Sequence, residues 1–569
     1  MANLSDRVSL DELSKNESVK AGSNHLRGHI ADELVEDSPA FGEESEQLLK
    51  FHGVYQQDDR DKRKEARARG LDKHHQLMIR TRIPGGVVSP DAYIAHDDIS
   101  QRWANGTLRV TTRQDFQLHG VLKGDLKKSI AAINHALLTT LGGCGDVERN
   151  IMCCPEPYSD HFHAEVDSTI KAMVAALTPR TGAYHEIWLD GEVVDSSEPE
   201  VEPLYGEQYL PRKFKTTVAL EGDNCVDVYA HDLALIAMRG ADGAVRGFNV
   251  LVGGGLGRTH HKPETFVAVA LPLAFVGPDE AVEVSRAVIE VQRDYGDRSN
   301  RKHARLKYTI ADRGLAWFRA EVQARVPFQL KPPEPLRWRP VDDHLGWHEQ
   351  GDGDLYLGVY VENGRIADVG AARYRTGLRR IVDEIRPQVR LTAQQNVILA
   401  GIAPSQRASV EKLLRDHGIA TVESIPRAIR HSMACPAIPT CGLAVAEAER
   451  ALPGLIRQIA ALLDDLGLAD ERISFRMSGC PNGCSRPYLG DVGFVGTTLG
   501  KYDVMLAGDF EGTRLNRLYA ANVPISEIPS LLRPIFVEFQ SNRDAGEGFG
   551  DWVDRAGFDA LRERVQQPA

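Results

Sequence analysis

Several features that would place the chain among membrane, secreted or nucleic-acid-binding proteins are missing from its 569 residues. It has no run of about eighteen apolar residues, so we predict no membrane-spanning helix. The opening residues, MANLSDRVSLDELSKNESVK, lack the apolar core of a secretory signal, which predicts a cytoplasmic location. The formal net charge of −12 argues against nucleic acid as a partner, because nucleic-acid-binding proteins present a net basic surface.

The chain also lacks a recognisable site for a nucleotide electron carrier. Its glycine-rich run at residues 252–257 (VGGGLG) misses the spacing of a dinucleotide-binding fingerprint, because Arg258 stands where the third glycine should be. We interpret this run as a turn that lets the backbone approach another group closely. Because the chain shows no flavin or NADPH motif, we expect the electrons for any redox reaction to come from a partner protein.

Length and composition indicate a soluble globular protein of several domains. Hydrophobic residues make up 42% of the chain and charged residues 26%. A chain of 569 residues exceeds one ordinary core, so two to four domains are expected. Residues 1–45 are polar and rich in Ser, Asp and Glu, which predicts a flexible N-terminal arm. The proline-rich stretch 331–340 is typical of an extended linker.

A weak internal repeat relates the two halves of the chain. Residues 107–121 (TLRVTTRQDFQLHGV) resemble residues 388–402 (QVRLTAQQNVILAGI), and each copy precedes a helical stretch and a cysteine–proline pair. We match the pair Cys154-Pro155 with the pair Cys480-Pro481. The repeat predicts two related α+β halves with a site at their interface. At one constant offset, the following residues correspond: Arg109, Thr111, Gln114, Leu118 and Gly120 with Arg390, Thr392, Gln395, Leu399 and Gly401.

Half of the eight cysteines fall in one short stretch of the second half, at Cys435, Cys441, Cys480 and Cys484. In a cytosolic chain such a group indicates a metal site rather than a disulfide framework. Five and three residues separate the cysteines of each pair, whereas structural zinc sites usually show a pair separated by two. The spacing therefore favours an iron–sulfur cluster, while a zinc-stabilised, non-catalytic binding protein and free buried thiols stay open.

Basic residues cluster in the first half of this acidic chain. Alternation places Arg80 with Arg82, and Lys213 with Lys215, on one face of a strand each. Any single pair is more simply a solvated surface, but several pairs in a chain of net charge −12 predict a pocket for a buried anion. The basic candidates are Arg80, Arg82, Arg113, Arg149, Arg212, Lys213 and Lys215.

Together these motifs resemble the sulfite/nitrite reductase hemoprotein family, from about residue 48 to the end. The resemblance is nearest to the branch of NADPH-dependent assimilatory sulfite reductases. It rests on KFHGVYQQDDRD, RTRIPGGV, TTRQDFQLHG, YLPRKFKTT, GFNVLVGGG, SMACPAIPTCGLAVAEAER and GCPNGC. It implies an α+β fold with pseudo-twofold symmetry, in which mixed sheets with flanking helices hold the cofactors between the halves.

The resemblance also implies two cofactors, siroheme and a 4Fe–4S cluster. Cys435, Cys441, Cys480 and Cys484 match the cluster ligands, and Cys484 would also bridge to the siroheme iron. Arg80, Arg113, His119 and Arg212 match positions that bind siroheme, whose carboxylates would explain a basic interior. Arg82, Arg149, Lys213 and Lys215 match positions that bind sulfite. Some relatives link a tyrosine to a cysteine beside the heme, and Tyr55 and Cys144 occupy similar positions.

The implied reaction is the six-electron reduction of sulfite to sulfide in sulfate assimilation and cysteine biosynthesis. The electron donor would be a flavoprotein that uses NADPH, and a ferredoxin-dependent sulfite or nitrite reductase is the alternative. We predict five segments: a flexible arm (1–45), a ferredoxin-like half-repeat (46–145), a siroheme-binding α+β domain (146–330), a second half-repeat (331–425) and a second α+β domain carrying the iron–sulfur cysteines (426–569).

Overall fold

The computed structural model of the chain describes residues 12–191, 200–339 and 341–566. No helix in these ranges is long and apolar enough to cross a membrane. The strands are β1 (Val54–Asp58), β2 (His75–Arg80), β3 (Val87–Val88), β4 (Leu108–Val110), β5 (Phe116–Val121), β6 (Met152–Cys153), β7 (Thr216–Leu220), β8 (Leu233–Arg239), β9 (Val245–Val252), β10 (Leu271–Val276), β11 (Gly346–Glu349), β12 (Leu355–Val359), β13 (Arg365–Ile366), β14 (Asp368–Val369), β15 (Ala372–Arg373), β16 (Gln388–Leu391), β17 (Val397–Ile402), β18 (Ser432–Ala434), β19 (Phe475–Ser478), β20 (Val492–Thr498), β21 (Lys501–Leu506) and β22 (Arg517–Pro524).

Helices flank the sheets throughout the described chain. They are α1 (Lys15–Ala21), α2 (Ile30–Val35), α3 (Glu43–Leu49), α4 (Arg63–Ala68), α5 (Pro90–Trp103), α6 (Lys123–His135), α7 (His161–Leu177), α8 (Ala183–Leu189), α9 (Ala281–Tyr295), α10 (Leu306–Arg313), α11 (Leu315–Gln323), α12 (Tyr374–Ile385), α13 (Arg407–Asp416), α14 (Arg427–Arg430), α15 (Leu452–Asp465), α16 (Ile528–Asn542), α17 (Phe549–Ala556) and α18 (Phe558–Gln566). Local chemistry fixes several helix starts. The Ser89 side chain accepts a hydrogen bond from Ala92 N at the start of α5, and Asp160 caps α7 in the same way.

Two antiparallel sheets of five strands form the first matched pair. Their strand orders are β1-β2-β5-β4-β13 and β11-β12-β17-β16-β3. The sheets exchange an edge strand, because β13 of the second half pairs with β4 and β3 of the first half pairs with β16. This exchange fastens the two halves to each other through backbone hydrogen bonds.

Two mixed sheets form the second matched pair, with orders β10-β9-β8-β7-β6 and β18-β19-β20-β21-β22. In the first, β6, β7 and β8 are parallel and β9 and β10 are antiparallel to their neighbours. In the second, β18, β19 and β20 are parallel and β21 and β22 are antiparallel. The second mixed sheet has a hydrophobic core of its own with α15 to α18.

The duplication confirms the two related α+β halves predicted from the repeat. Gln114 and Gln395 occupy equivalent turns, and both have a positive φ, of 57° and 70°. The predicted match between the cysteine–proline pairs is wrong. Cys154 directly follows β6 as Cys435 directly follows β18, at the same offset that relates the two glutamines. Cys154-Pro155 therefore corresponds to Cys435-Pro436, and the true partner was hidden because the second half has two such pairs.

The predicted flexible arm is wrong for residues 12–45, and residues 1–11 lie outside the described chain. Glu17 and Lys20 on α1 are buried and form an ion pair of 2.6 Å. Glu17 also pairs with Arg298 at 2.5 Å, and Lys20 donates to the carbonyl of Leu210 at 2.7 Å. The polar composition was misleading because these charged side chains pair with one another inside the fold instead of facing solvent.

The described part of the predicted linker, residues 331–339, has no helix, as expected from its prolines. It packs along the first mixed sheet, where Glu334 N donates to Asn249 Oδ1 at 2.9 Å and Arg339 N donates to Gly222 O at 2.9 Å. The connection between the halves is thus bound to the first half along its length.

Candidate active site

The four clustered cysteines lie at the ends of two neighbouring strands. Cys435 directly follows β18, and Cys480 and Cys484 follow β19, which is parallel to β18. The carboxyl ends of parallel neighbours meet at one edge of a sheet, so the two loops face each other there. Cys435 and Cys480 are buried, Cys441 is half-buried and Cys484 is exposed.

Hydrogen bonds within the loops support the sulfurs. Gly479 N lies 3.3 Å from the Cys435 sulfur, and the Asn482 amide lies 3.6 Å from the Cys480 sulfur. Burial and, to a smaller extent, the neighbouring charge of Cys484 together raise the pKa of Cys480 to about 12. Such thiols need a bound cation to persist as thiolates, so this donor set fits a metal centre.

The four sulfurs are spread more widely than a single zinc ion allows. Tetrahedral zinc with bonds of about 2.3 Å brings its thiolates to about 3.8 Å of one another. In the described chain, no three of the four sulfurs all lie within 4.8 Å of one another. A cubane binds each thiolate at a different corner and suits this wider spacing. The zinc alternative does not fit this site.

Cys484 joins the cysteine loops to the first half. The Thr112 hydroxyl donates to the Cys484 carbonyl at 2.9 Å. Two residues further on, Arg486 donates to Thr112 O at 2.7 Å and to Ala393 O at 2.8 Å, and pairs with the buried Asp227. The exposed sulfur of Cys484 is therefore held at the boundary where the basic residues of the first half begin.

Two of the predicted sulfite-binding arginines are buried without a carboxylate partner among the described residues. Arg82 Nη1 donates to Thr178 Oγ1 at 2.7 Å, whereas its Nε and Nη2 have no partner. Arg149 Nε donates to the carbonyl of Gly145 at 2.9 Å. Buried guanidinium groups with unused donors are suited to an anionic ligand.

Lys213 and Lys215 complete the predicted set on the approach to β7. Burial and, to a smaller extent, the charge of Arg212 lower the pKa of Lys213 to about 7, although the charge of Cys484 opposes this shift. Burial likewise lowers the pKa of Lys215 well below its usual value, and Arg113 adds to the effect. Neither ammonium group has a hydrogen-bond or ion-pair acceptor in the described chain, and both interact electrostatically with Cys484.

The four residues predicted to bind siroheme differ in their burial and in their hydrogen-bond partners. Arg113 lies beside the cations and is directed at the carbonyl of Asn150, with its Nε unpartnered. His119 is buried on β5, and neither ring nitrogen has a hydrogen-bond partner among the described residues. Arg80 contacts the Cys144 sulfur at 2.9 Å and also keeps an unpartnered Nε. Arg212 is half-buried, 3.8 Å from Asp146.

These unused donors test whether an anionic cofactor fits the site. Buried polar atoms without a hydrogen-bond partner are uncommon in folded proteins, because burying such an atom without a hydrogen bond costs about 1–3 kcal/mol. In the described chain such atoms occur at Arg80, Arg82, Arg113 and His119. Arg80 also interacts electrostatically with Cys484. Siroheme carboxylates and a sulfur oxyanion would accept from such donors, so the residues fit both groups.

Residues that the sequence did not single out hold the cysteine loops in place. Glu449 N donates to Cys435 O at 3.1 Å, and the Glu449 carboxylate pairs with Arg109 at 2.9 Å and Arg365 at 2.7 Å. Arg60 donates to the carbonyls of Cys441 and Ala444 at 3.0 and 2.5 Å. The repeat contained Arg109, and the motif KFHGVYQQDDRD contained Arg60, but neither pattern indicated a partner in the other half.

The glycine-rich run acts as the close-approach turn that we predicted. A Cβ placed on Gly254 would lie 2.3 Å from the Tyr229 carbonyl oxygen. Arg258 N donates to Pro481 O at 3.1 Å, and a Cβ on Gly257 would lie 3.3 Å from Asn482 O. The run therefore supports the loop between Cys480 and Cys484 from the first half.

Two family models match the chain. The Nitrite and sulphite reductase 4Fe-4S domain matches residues 170–330. The Nitrite/Sulfite reductase ferredoxin-like half domain matches twice, at residues 69–136 and 348–417. Both matches to the half domain fall on the antiparallel sheets, which agrees with the duplication.

Curated relatives match over nearly the full length. The sulfite reductase (ferredoxin) of Synechococcus elongatus is 46% identical, over 98% of this chain and 92% of the relative. The sulfite reductase (NADPH) hemoprotein beta-component of Methylobacterium sp. (strain 4-46) is 48% identical, over 96% and 91%. The solved structure of the Mycobacterium tuberculosis NirA protein shares the fold, with a TM-score of 0.79 at 24% identity over 97% and 98%.

The chain therefore belongs to the nitrite/sulfite reductase family, which makes it an oxidoreductase. The predicted family, fold class and cofactor pair, siroheme with a 4Fe–4S cluster, are confirmed. The match to the 4Fe-4S domain covers the first half, where Cys225 is the only cysteine of residues 170–330. The four clustered cysteines belong to the second copy of the duplicated architecture.

Proposed function

We propose that the protein is the hemoprotein of an assimilatory sulfite reductase, which reduces sulfite to sulfide with six electrons. One observation carries the proposal: Cys484 interacts electrostatically both with the other three cysteines and with Lys213 and Lys215, whose ammonium groups have no ion-pair partner in the described chain. When bound, siroheme and the 4Fe–4S cluster supply electron transfer and a binding site for the substrate. The chain supplies the ligands, the positive charge and the protons.

The predicted residues fall into three groups in this proposal, and each group has one role. Arg82, Arg149, Lys213 and Lys215 bind the oxygens of sulfite, and their charge stabilises the negative charge that accumulates during reduction. Lys213, with a pKa of about 7, can donate a proton and then take up another from water near neutral pH. Arg80, Arg113, His119 and Arg212 would hold the carboxylates of siroheme. The cluster would be held by Cys435, Cys441, Cys480 and Cys484.

Electrons come from a separate donor protein, since no nucleotide-binding motif is present in the chain. We propose a flavoprotein that uses NADPH, because several relatives are named as the hemoprotein of such an enzyme. A ferredoxin donor is the second candidate, favoured by the relative in Synechococcus elongatus. The same proposal includes the cytoplasmic location and the bounds of the four predicted segments that follow the N-terminal arm.

Two measurements test the proposal on the purified enzyme. Anaerobic sulfide production from sulfite, assayed in parallel with a flavoprotein reductase and with reduced ferredoxin, identifies the reaction and its donor. An absorption spectrum tests the cofactor, because siroheme gives a Soret band and long-wavelength bands that a zinc protein lacks. Faster turnover of nitrite than of sulfite with both donors would contradict the assignment of the substrate.

A further inference from the structure

A second group of metal-binding side chains lies in the first half, apart from the iron–sulfur cysteines. The ligand atoms of Cys154, Asp223, Cys225 and His344 all lie within 4.8 Å of one another. Cys154, Asp223 and His344 are buried, and Cys225 is half-buried. They come from three separate chain segments, so the fold and not a local turn brings them together.

The duplication relates this group to the iron–sulfur cysteines. In the second half, Cys435 follows β18 and Cys480 and Cys484 follow the parallel neighbour β19. In the first half, Cys154 follows β6, and Asp223 and Cys225 follow the parallel neighbour β7. The group therefore occupies the position in the first mixed sheet that the iron–sulfur loops occupy in the second.

The contacts around the group are those of a prepared metal site. His344 Nδ1 lies 3.2 Å from Glu156 Oε1. Its Nε2 is directed towards Asp223 Oδ2 at 3.5 Å and has no hydrogen-bond partner in the part of the chain that the structure describes. A carboxylate on the second ring nitrogen is the usual support for a metal-binding histidine. Asp223 Oδ1 accepts from Cys225 N at 2.8 Å, while Oδ2 lies 3.1 Å from the Cys154 sulfur.

We propose that Cys154, Asp223, Cys225 and His344 bind one Zn²⁺ ion. Two thiolates, one imidazole and one carboxylate are a donor set that zinc accepts, at about 2.0–2.3 Å and with tetrahedral geometry. That geometry places the ligand atoms about 3.3–3.8 Å apart, within the observed limit of 4.8 Å. Four protein ligands leave no open position, so the ion is structural.

The ion would fasten the linker and the second half to the first half. His344 lies shortly after the linker in sequence, and the Cys225 carbonyl accepts a hydrogen bond from Gln394 of the second half. Asn224, between Asp223 and Cys225, donates to the Glu511 carbonyl at 2.6 Å. Zinc at this point orders the loop that also carries Asp227, the partner of Arg486 beside Cys484.

Metal analysis of the purified holoenzyme tests the proposal. We expect about one zinc per chain in addition to the iron of the cofactors, bound so that dialysis does not remove it. Cys225→Ser and His344→Gln should each lose most of the zinc and keep the iron content. Cys153→Ser is the matched control, because Cys153 is a buried neighbour outside the group, and it should keep the zinc.

X-ray absorption at the zinc edge keeps the proposal testable if those variants fail to fold. Wild-type enzyme should show two sulfur ligands at about 2.3 Å and two nitrogen or oxygen ligands at about 2.0 Å. A shell of four sulfurs, less than a tenth of a zinc per chain, or zinc retained in the Cys225 and His344 variants would each overturn it. So would a disulfide between Cys154 and Cys225 in protein purified without oxidant.

Discussion

The Thr112 hydroxyl donates a hydrogen bond of 2.9 Å to the carbonyl of Cys484. Thr112 directly precedes Arg113 in the basic region of the first half, and Cys484 is the exposed cysteine of the second. The two residues are 372 positions apart in sequence. This contact therefore links the substrate-binding side of the proposed site to the metal-binding side.

Thr112→Val should slow sulfite turnover severalfold without loss of either cofactor. The substitution keeps the shape of the side chain and removes one hydrogen bond, worth about 1 kcal/mol. Turnover and iron content would be measured together. Thr497→Val is the control, since its hydroxyl forms hydrogen bonds with Asn522 and Lys501, which both lie in the second half. Equal turnover in the two variants would show that the contact with Cys484 does not position the site.

The fold class could be predicted from the sequence, and so could the residues proposed for the site, because both rest on short contiguous motifs and on the repeat. The motif residues around Cys435 and Cys480 are contiguous, and the repeat fixed the relation between Gln114 and Gln395. Strand exchange through β3 and β13 was not visible, because each strand has only two residues. The match of Cys154 to Cys435 follows the offset of the repeat, but the second half has two cysteine–proline pairs, and strand topology showed which of them corresponds.

The contacts between the two halves could not be predicted from the sequence either. Glu449 lies hundreds of residues from Arg109 and interacts with it only through the fold. Likewise, the buried pairing of Glu17 with Lys20 and Arg298 contradicted a polar composition that is typical of a flexible arm. Charged residues are hard to place from sequence because their burial depends on partners elsewhere in the chain.

Lys215→Ala should lower sulfite turnover by about 10²-fold or more, because it removes a charge and a proton donor from the anion site. Siroheme and iron content should stay unchanged, since the Lys215 ammonium group forms no hydrogen bond or ion pair with a cysteine loop in the described chain. Steady-state sulfide production and the absorption spectrum give the two readouts. Lys302→Ala, at an exposed surface position, is the control. Wild-type kinetics in the Lys215 variant would contradict the assigned role.

Glu449→Gln should destabilise the cysteine loops by about 3 kcal/mol, because it leaves Arg109 and Arg365 without their buried counter-ion. The urea midpoint and the rate of iron release at neutral pH would be compared with wild type. Glu447→Gln, which breaks a surface pair with Arg450, should cost less than about 1 kcal/mol. Similar costs for the two variants would show that the Glu449 pairs do not hold the loop.

The same carboxylate predicts an acid-sensitive step. Burial alone would raise the pKa of Glu449, but the charges of Arg365 and Arg109 outweigh it and hold the pKa at about 2. Because this value lies below the unfolded value of about 4.3, the ion pairs contribute fully above pH 4.3. Their contribution is lost as the pH falls towards 2. Iron release from wild type should accelerate in that window, and Glu449→Gln should show no such step.

Tyr55 and Cys144 lie side by side next to Arg80, whose Nη1 contacts the Cys144 sulfur at 2.9 Å. Burial raises the pKa of Tyr55, and the adjacent Cys144 raises it further, so the two groups are in direct electrostatic contact. A thioether bond between the sulfur and the ring would remove one hydrogen from each residue, with O₂ as the electron acceptor. We expect the intact mass of the aerobically purified chain to be two hydrogens below the sequence value. The Cys144→Ser variant should have the full mass calculated from its own sequence. A wild-type chain with the full mass calculated from its sequence would rule the bond out.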